Sequence, residues 1–342
     1  MRGVLERLCD GHGLLAEEAE ALVPSLADPA TPEAMVAGVL VALRCKGETA
    51  PELAGLARGM LALAVPPAIA GHLCAGAVDI VGTGGDASGS YNISTGAALL
   101  AAAAGATVLK HGNRAISGRV GSADVLEKLG WDSQAVAGAE GRWAERHGFA
   151  FLLAPVYHAA VWRVGAVRRA LGVRTVFNVL GPLTNPARPG YSVVGAYSPQ
   201  AAERMAGALA LLGVRGAAVV HSENGWDEAT PCAPFARWDV RDGRVRAWRD
   251  EPGRWGVIGC AEGDLRGGDA AHNAAAISAA LRGRAGPLQE ALVLNAAIAL
   301  EVAGRAPDPA GAVARARGAI AGGAAARLLD AMERMGQGGG AG

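Results

Sequence analysis

The residues best suited to chemistry lie in one stretch, Asp79-Ile-Val-Gly-Thr-Gly-Gly-Asp86, which runs through Ser90-Tyr-Asn92-Ile-Ser94-Thr95 into an alanine-rich segment. Ala77 to Val81 is a short, mostly apolar run that suits a buried strand, and Ala97 to Ala104 is almost pure helix former. Between them sits a glycine loop. Gly82, Gly84 and Gly85 open torsions closed to other residues and let the main chain approach a ligand with no Cβ in the way. Asn92, Ser94 and Thr95 are helix-capping types, so the loop is expected to bring unpaired N–H donors and the positive end of a helix dipole to one place. Such a place binds anions, phosphate above all. Gly82-x-Gly84-x-x-Ala87 formally fits a dinucleotide fingerprint, but Lys110 and His111 stand where that motif expects an acid. No GxxxxGK(S/T) sequence occurs. The alternative is a tight turn without a ligand.

A second polar cluster, Lys110-His111-Gly112-Asn113-Arg114, Ser117-Gly118-Arg119 and Gly121-Ser122-Ala123-Asp124, follows the next apolar run. In an open parallel sheet, loops at the carboxyl ends of strands share one crevice, so this cluster is expected to confront the glycine loop. Lys110 and Arg119 suit phosphate charge, Ser117 and Ser122 its hydrogen bonds, and Asn113 a neutral group; a solvated basic loop is the alternative. Asp227-Glu228 follows a strand and the turn Glu223-Asn-Gly. Adjacent carboxylates on an extended segment point apart, and such hard oxygens suit Mg²⁺ bound alongside substrate phosphates, with Ser94 as a further oxygen. Plain surface charge is the competing reading. Tyr157-His158, Arg168 and Phe177-Asn-Val-Leu-Gly-Pro-Leu-Thr-Asn-Pro186 form the last group, in which Arg168 suits a bidentate carboxylate clamp or a solvent-facing helix position.

The elements that must position these groups fall into two patterns. Residues 1 to about 70 carry helix signals only: Val4, Leu5 and Leu8 space a first helix, Leu15 to Leu26 a second, Thr31-Pro-Glu-Ala opens a third with Pro at its first position, and Thr49-x-x-Glu52 is a capping box for a fourth. From Ala77 onward strand and helix alternate. Strands are expected at 106–109, 149–153, 191–196 and 217–221, with a loop over 110–122, a helix over 200–212, and a ribbon over 237–249 around Asp242-Gly243. The fold class is therefore α/β, a small N-terminal helical domain plus a larger α/β domain with a mainly parallel central sheet.

The 342 residues allow a full core, and 51% hydrophobic with 19% charged residues is a globular balance. Formal net charge is +0, so the chain as a whole is no polyanion binder. Five cysteines, far apart and never as CxxC, imply no disulfide framework or thiolate zinc site. Met1 to Asp10 lacks a signal-peptide core and no apolar stretch reaches membrane-spanning length, so a cytoplasmic protein is expected.

Taken together, Gly82-Thr-Gly-Gly-Asp86, Asn92-Ile-Ser-Thr95, Lys110-His-Gly-Asn-Arg114, Gly121-Ser-Ala-Asp-Val-Leu-Glu127 and Phe177-Asn-Val-Leu-Gly-Pro-Leu-Thr-Asn-Pro186 resemble the anthranilate phosphoribosyltransferase family over nearly the full chain. The Gly-rich end reads as a flexible tail over 336–342. The resemblance implies a helical domain over 1–70 with 164–188 contributing, a nucleoside phosphorylase/phosphoribosyltransferase-like α/β domain over 75–335, and homodimers formed through the helical part. It implies that Gly82, Gly85, Asp86, Ser90, Asn92, Ser94, Thr95, Lys110 and Ser122 bind phosphoribosyl pyrophosphate, and that Ser94, Asp227 and Glu228 hold Mg²⁺. It also implies that Gly82, Asn113 and Arg168 contact anthranilate with His111 and His158 lining the site, and that Lys110, Asp227 and Glu228 serve catalysis. Ala87 stands where the family usually has glycine, Ser90 where it has threonine, Val120 where a small polar residue is frequent, and Trp226 lies in an altered turn beside the carboxylates.

Two rivals remain at this point. A pyrimidine nucleoside phosphorylase shares the two-lobed plan, and Ile116-Ser-Gly-Arg119 is similar to its base site. The other is a relative that binds nucleic acid without catalysis, which a basic surface would favour and the zero net charge does not.

Overall fold

The computed structural model describes residues 1–86, 88–115 and 120–337. Ala87, Ser117, Arg119, the 116–119 run as a whole and the tail beyond Gln337 lie outside the described residues. Four helices come first, α1 (Arg2–Cys9), α2 (Ala16–Ala27), α3 (Glu33–Lys46) and α4 (Ala50–Ala62). Their apolar faces close on one core that includes Leu8, Leu22, Leu26, Leu40, Leu43 and Leu56. Pro32 was expected at the first helical position of α3. It occupies the N-cap instead, held extended at ψ 138°.

The Thr49/Glu52 capping box is present and is larger than its sequence suggests. Glu52 is fully buried and accepts from the backbone N–H of Leu14 and Thr49 and from Lys46 Nζ, each at 2.8 Å. These bonds hold its carboxyl below the usual carboxylate range against the cost of burial. Glu52→Ala is expected to destabilise the protein by about 3 kcal/mol, since it strands a buried ammonium and two amides at once. Chemical denaturation of the variant measures this, and a loss below about 1 kcal/mol would contradict it.

A short helix, α5 (Gly71–Gly76), leads into the sheet. Along the chain follow β1 (Ala77–Gly82), α6 (Ile93–Ala103), β2 (Thr107–Gly112), α7 (Ser122–Lys128), α8 (Glu140–His147), β3 (Phe149–Leu153) and α9 (Ala154–Tyr157). Then come α10 (Trp162–Leu171), α11 (Phe177–Leu180), β4 (Tyr191–Gly195), α12 (Pro199–Leu211), β5 (Gly216–Ser222), β6 (Phe235–Arg241) and β7 (Arg244–Asp250). Helices α13 (Ala270–Leu281), α14 (Pro287–Val302), α15 (Pro309–Ala321) and α16 (Ala324–Gly336) follow, so Gly336, expected to open the tail, is the last residue of a helix instead.

The sheet runs β3-β2-β1-β4-β5-β6-β7, parallel from β3 to β5 and antiparallel through the final ribbon. The ribbon turns at Asp242-Gly243, both with positive φ (49° and 70°), as the sequence signal requires. On one face the apolar helices α6 and α14 cover the sheet. On the other, α12 and the helical core do so, joined by Val164, Val167, Phe177, Leu180 and Leu183 from the segment around α10 and α11.

One expectation needs correction. The stretch from Lys110 was read as loop, yet Lys110, His111 and Gly112 are strand, paired with Phe151, Leu152 and Leu153 of β3. Their polar side chains hid a buried segment that sheet pairing extends.

Candidate active site

Strands β1 and β4 are neighbours although the chain visits β2 and β3 between them. Crossovers therefore leave in opposite directions from this pair, and the crevice beyond its carboxyl ends is the place an open α/β sheet offers a ligand. The glycine loop leaves β1 there. Lys110 to Gly112 end β2, Gly195 ends β4, and the turn after β5 brings Asp227 and Glu228.

The carboxylates point apart, as adjacent residues on an extended segment do. Asp227 Oδ2 accepts from the Gly84 amide (2.6 Å) and from Thr83 Oγ1 (3.3 Å), while the Asp227 amide donates to Asp86 Oδ2 (3.2 Å). Glu228 turns the other way, accepting from the Ser94 amide in the first turn of α6 (3.2 Å) and from Ser90 Oγ (3.3 Å). Both are buried, with no Lys or Arg in salt-bridge reach among the described residues. Burial first, and then repulsion from Asp86 and, for Glu228, from Asp227, pushes both carboxyls well up. Three acids facing one crevice, with the buried Lys110 ammonium acting on Glu228 from beyond ion-pair distance, form a donor set for a hard divalent ion. No group of three or more His, Cys, Asp or Glu closes around one point among the described residues, so hydroxyls, water and ligand oxygens would complete any coordination sphere.

The glycine loop differs from expectation in one respect. Its donors are not free: the Gly84 and Ser94 amides are taken by the protein's own carboxylates. Asn92 does occupy the N-cap of α6, but its side chain bridges outward, donating to Val120 O (3.2 Å) and accepting from Asn273 Nδ2 (3.0 Å). Thr95 Oγ1 is buried without a partner. Gly84 and Gly85 take positive φ (64° and 74°), whereas Gly82 serves close approach, since a Cβ there would lie 2.6 Å from Asp227 Oδ2. Asp86 accepts from the Ser88 amide and hydroxyl (3.1 and 2.9 Å).

Lys110 is a buried strand residue rather than part of a solvated loop, and its Nζ donates to Ile80 O at 2.5 Å. Burial lowers its pKa against the opposing pull of Asp79 and Glu228. Asp79, itself pushed up to about 6 by burial, accepts from the His111 amide (3.2 Å) and from Asn185 Nδ2 (2.8 Å). His111 and His158 stand 5.2 Å apart, ring to ring. His111 Nδ1 meets Gly181 O (3.3 Å) and His158 Nε2 meets Thr184 O (2.8 Å), so both brace the Phe177–Pro186 segment. Burial holds both imidazoles neutral, with His111 depressed to about 3. The other ring nitrogens, His111 Nε2 and His158 Nδ1, are buried without a hydrogen-bond partner among the described residues.

At the rim, Ser122 opens α7 with its hydroxyl on Asn113 O (3.3 Å), while Asn113 Oδ1 accepts from the Arg114 amide (2.8 Å). Arg168, half-buried on α10, stacks its guanidinium 5.5 Å from the centre of the Phe177 ring. No carboxylate pairs with it among the described residues, and burial lowers its pKa.

Several residues were given no role from sequence. Asp79 and Asn185 hold the strand ends, Thr83 steadies Asp227, Asn273 ties α13 to Asn92, and Arg174 donates to Gly85 O while stacking 4.2 Å over Tyr197. A carboxylate inside the apolar run Ala77–Val81 was the available signal for Asp79.

The two-part fold recurs in known proteins. Residues 75–326 match the family model described as glycosyl transferase family, a/b domain, and residues 2–64 the model for its helical bundle domain. A protein of Thermomicrobium roseum named anthranilate phosphoribosyltransferase is 43% identical over 336 residues, covering 97% of this chain and 95% of its own. The chain belongs to the anthranilate phosphoribosyltransferase family. Among solved anthranilate phosphoribosyltransferases, that of Thermus thermophilus superposes with a TM-score of 0.88 at 41% identity, covering 98% of this chain and 99% of its own. The Saccharomyces cerevisiae enzyme in complex with PRPP and Mg does so with 0.85 at 25%, covering 98% and 97%. The two-lobed plan expected from the family strings is thus the observed one.

Proposed function

We propose that the protein transfers the phosphoribosyl group of phosphoribosyl pyrophosphate to the amine of anthranilate, giving N-(5-phosphoribosyl)anthranilate and pyrophosphate, a step of tryptophan biosynthesis. The observation that carries this reading is the buried carboxylate pair, free of any direct salt bridge among the described residues and set against a glycine loop, in a chain of this family. Asp227 and Glu228, with Ser94, are the ligands assigned to Mg²⁺. Bound there, the ion supplies charge neutralisation to a pyrophosphate leaving group. With their carboxylates engaged elsewhere, the Gly84 and Ser94 amides become donors for phosphate oxygens. Gly82, Gly85, Asp86, Ser90, Asn92, Thr95 and Ser122 complete the donor site in this reading.

The donor's anomeric carbon parts from pyrophosphate through a cation-like transition state, so the chain's main tasks are to receive a growing anion and to aim the acceptor. Lys110 supplies fixed positive charge from beneath the loop. Anthranilate attacks with a neutral aromatic amine, which demands no strong base. Neutral His111 and His158 fit that, lining the acceptor side with Gly82 and Asn113, and Arg168 is assigned to the acceptor carboxylate. Arg168→Ala is expected to raise the anthranilate KM by about 30-fold while the donor KM stays within about twofold. Unchanged acceptor kinetics would refute that role.

The same reading takes the enzyme as a cytoplasmic homodimer, divided into 1–70 with 164–188 and 75–335. Leu15 and Trp162, 67% and 63% exposed on the helical part, suit a joining face. No helix among the described residues is long and apolar enough to cross a membrane.

A pH signature follows from the raised carboxyls. Between their ordinary range near about pH 4 and their higher folded values, the folded state holds protons that the unfolded chain has released, so stability falls as pH rises through that window. Metal-free protein is therefore expected to lose Tm from about pH 5 to about pH 8 relative to Asp227→Asn/Glu228→Gln, and MgCl₂ to remove the difference. Parallel Tm curves with and without MgCl₂ would contradict the ligand assignment.

The reaction itself is tested by product identity. Incubation with phosphoribosyl pyrophosphate, MgCl₂ and anthranilate should release pyrophosphate and yield the phosphoribosylated amine by mass. Phosphorolysis of thymidine with inorganic phosphate, and no such product, would overturn the reading in favour of a nucleoside phosphorylase.

A further inference from the structure

Two of the five cysteines, 28 positions apart in the chain, are brought into contact: Cys232 Sγ lies 3.5 Å from Cys260 Sγ. Both are half-buried against the α/β core, in segments that are neither helix nor strand. Cys232 lies just beyond Asp227 and Glu228, in the stretch that returns to β6. Cys260 precedes the turn that delivers Leu265 to Gly267 onto the glycine loop. There Tyr91 N donates to Leu265 O (3.1 Å), Gly267 N donates to Gly89 O (2.8 Å), and Ser90 bridges Arg266. The thiol pair thus joins the segment that reaches Ser90 and Ser94 through Glu228 to the segment that clamps Gly89 to Tyr91 from the other side.

We propose that Cys232 and Cys260 are a modification site, forming a reversible intramolecular disulfide with hydrogen peroxide that ties together the two segments holding the glycine loop. The inference goes beyond the transferase reading and does not depend on it. Cys232 thiolate attacks one peroxide oxygen, the O–O bond breaks, and the departing hydroxide takes up the thiol proton as water. Cys260 sulfur then attacks the Cys232 sulfenic sulfur, the S–O bond breaks, and the second water leaves with the Cys260 proton. Two thiols and one peroxide become one disulfide and two waters. The sulfurs must close from 3.5 Å to about 2 Å, and both sit in segments outside sheet and helix. Burial raises both thiols, and beside Cys232 the Cys260 thiol is pushed further, up to about 12, so Cys232 ionises first and acts as the attacking sulfur.

The full chain treated with millimolar hydrogen peroxide, then unfolded and alkylated, tests this. Expected are the loss of two thiols, a Cys232–Cys260 cross-linked peptide in a non-reducing map, a Tm raised by a few degrees, and reversal of all three by dithiothreitol. The rate should climb about tenfold per pH unit near neutrality, as thiolate supply dictates. Cys9→Ser/Cys45→Ser, which removes the exposed thiols, should behave identically, whereas Cys260→Ser should show neither the cross-link nor the Tm rise. Alkylated Cys232 and Cys260 after the other thiols have been consumed, links between chains only, or Cys232 carried on to sulfinic acid without a bond would each overturn the proposal. The wild-type map decides the matter even if a variant fails to fold.

Discussion

Asp227→Asn/Glu228→Gln is expected to lower kcat/KM by at least about 10³-fold while leaving the metal-free protein as stable as wild type or more so. The two effects have opposite signs for one reason. Both carboxylates are buried and face Asp86; their hydrogen bonds come from amide and hydroxyl donors, among them Gly84 N, Ser94 N and Ser90 Oγ, and Lys110 attracts Glu228 without an ion pair. Each ionised form is therefore a cost to the fold, and amides of the same shape remove it. A purely structural pair would give the reverse, with stability lost and activity following it down. Steady-state kinetics alongside denaturant midpoints separate the cases, and a variant that is both active and destabilised would contradict the assignment.

Gly195→Ala is expected to cost about 10²-fold in kcat/KM, together with about 1–3 kcal/mol of stability. Gly195 ends β4, paired to Gly82 on one side and Val220 on the other, and its carbonyl accepts from Thr83 N at 2.9 Å. A Cβ there would lie 1.5 Å from Asp227 O and 2.6 Å from its carbonyl carbon. Backbone cannot yield as a side-chain tip can, so the turn carrying both carboxylates must move by more than an ångström. Gly82→Ala meets only the Asp227 carboxylate tip, at 2.6 Å, and should be milder for stability though still harmful to activity. Near-normal turnover in Gly195→Ala would show that the position of Asp227 and Glu228 does not set the rate.

Much of this was legible in the chain because the signals were local. The glycine loop from Gly82, the capping box at Thr49 and Glu52, and the Asp242-Gly243 turn are each contained within a few residues, and each appears where its chemistry requires. Depth was less legible. Lys110 and His111 read as loop because they are polar, but their burial comes from β3 on one side and from Asp79, Ile80 and Gly181 on the other. The unpaired amides expected in the loop proved to be engaged by acids more than 130 positions away in sequence. Gly195 gave no sign of its importance, which lies in what comes within 1.5 Å of its missing side chain, and Asn185 stood out only as part of the Phe177–Pro186 string, with no sign that it reaches Asp79 Oδ2 and Leu109 O. The contact of Cys232 with Cys260 is of the same non-local kind.

The measurement that tests the central claim most directly is the decay of anthranilate fluorescence on mixing purified protein with phosphoribosyl pyrophosphate and MgCl₂. Decay that needs the donor, MgCl₂ and the protein, and that is absent with Asp227→Asn/Glu228→Gln, is the predicted result. Constant fluorescence with correctly folded wild type and fresh donor would contradict anthranilate as the acceptor. Equal decay in the double variant would contradict the carboxylate pair as its metal site.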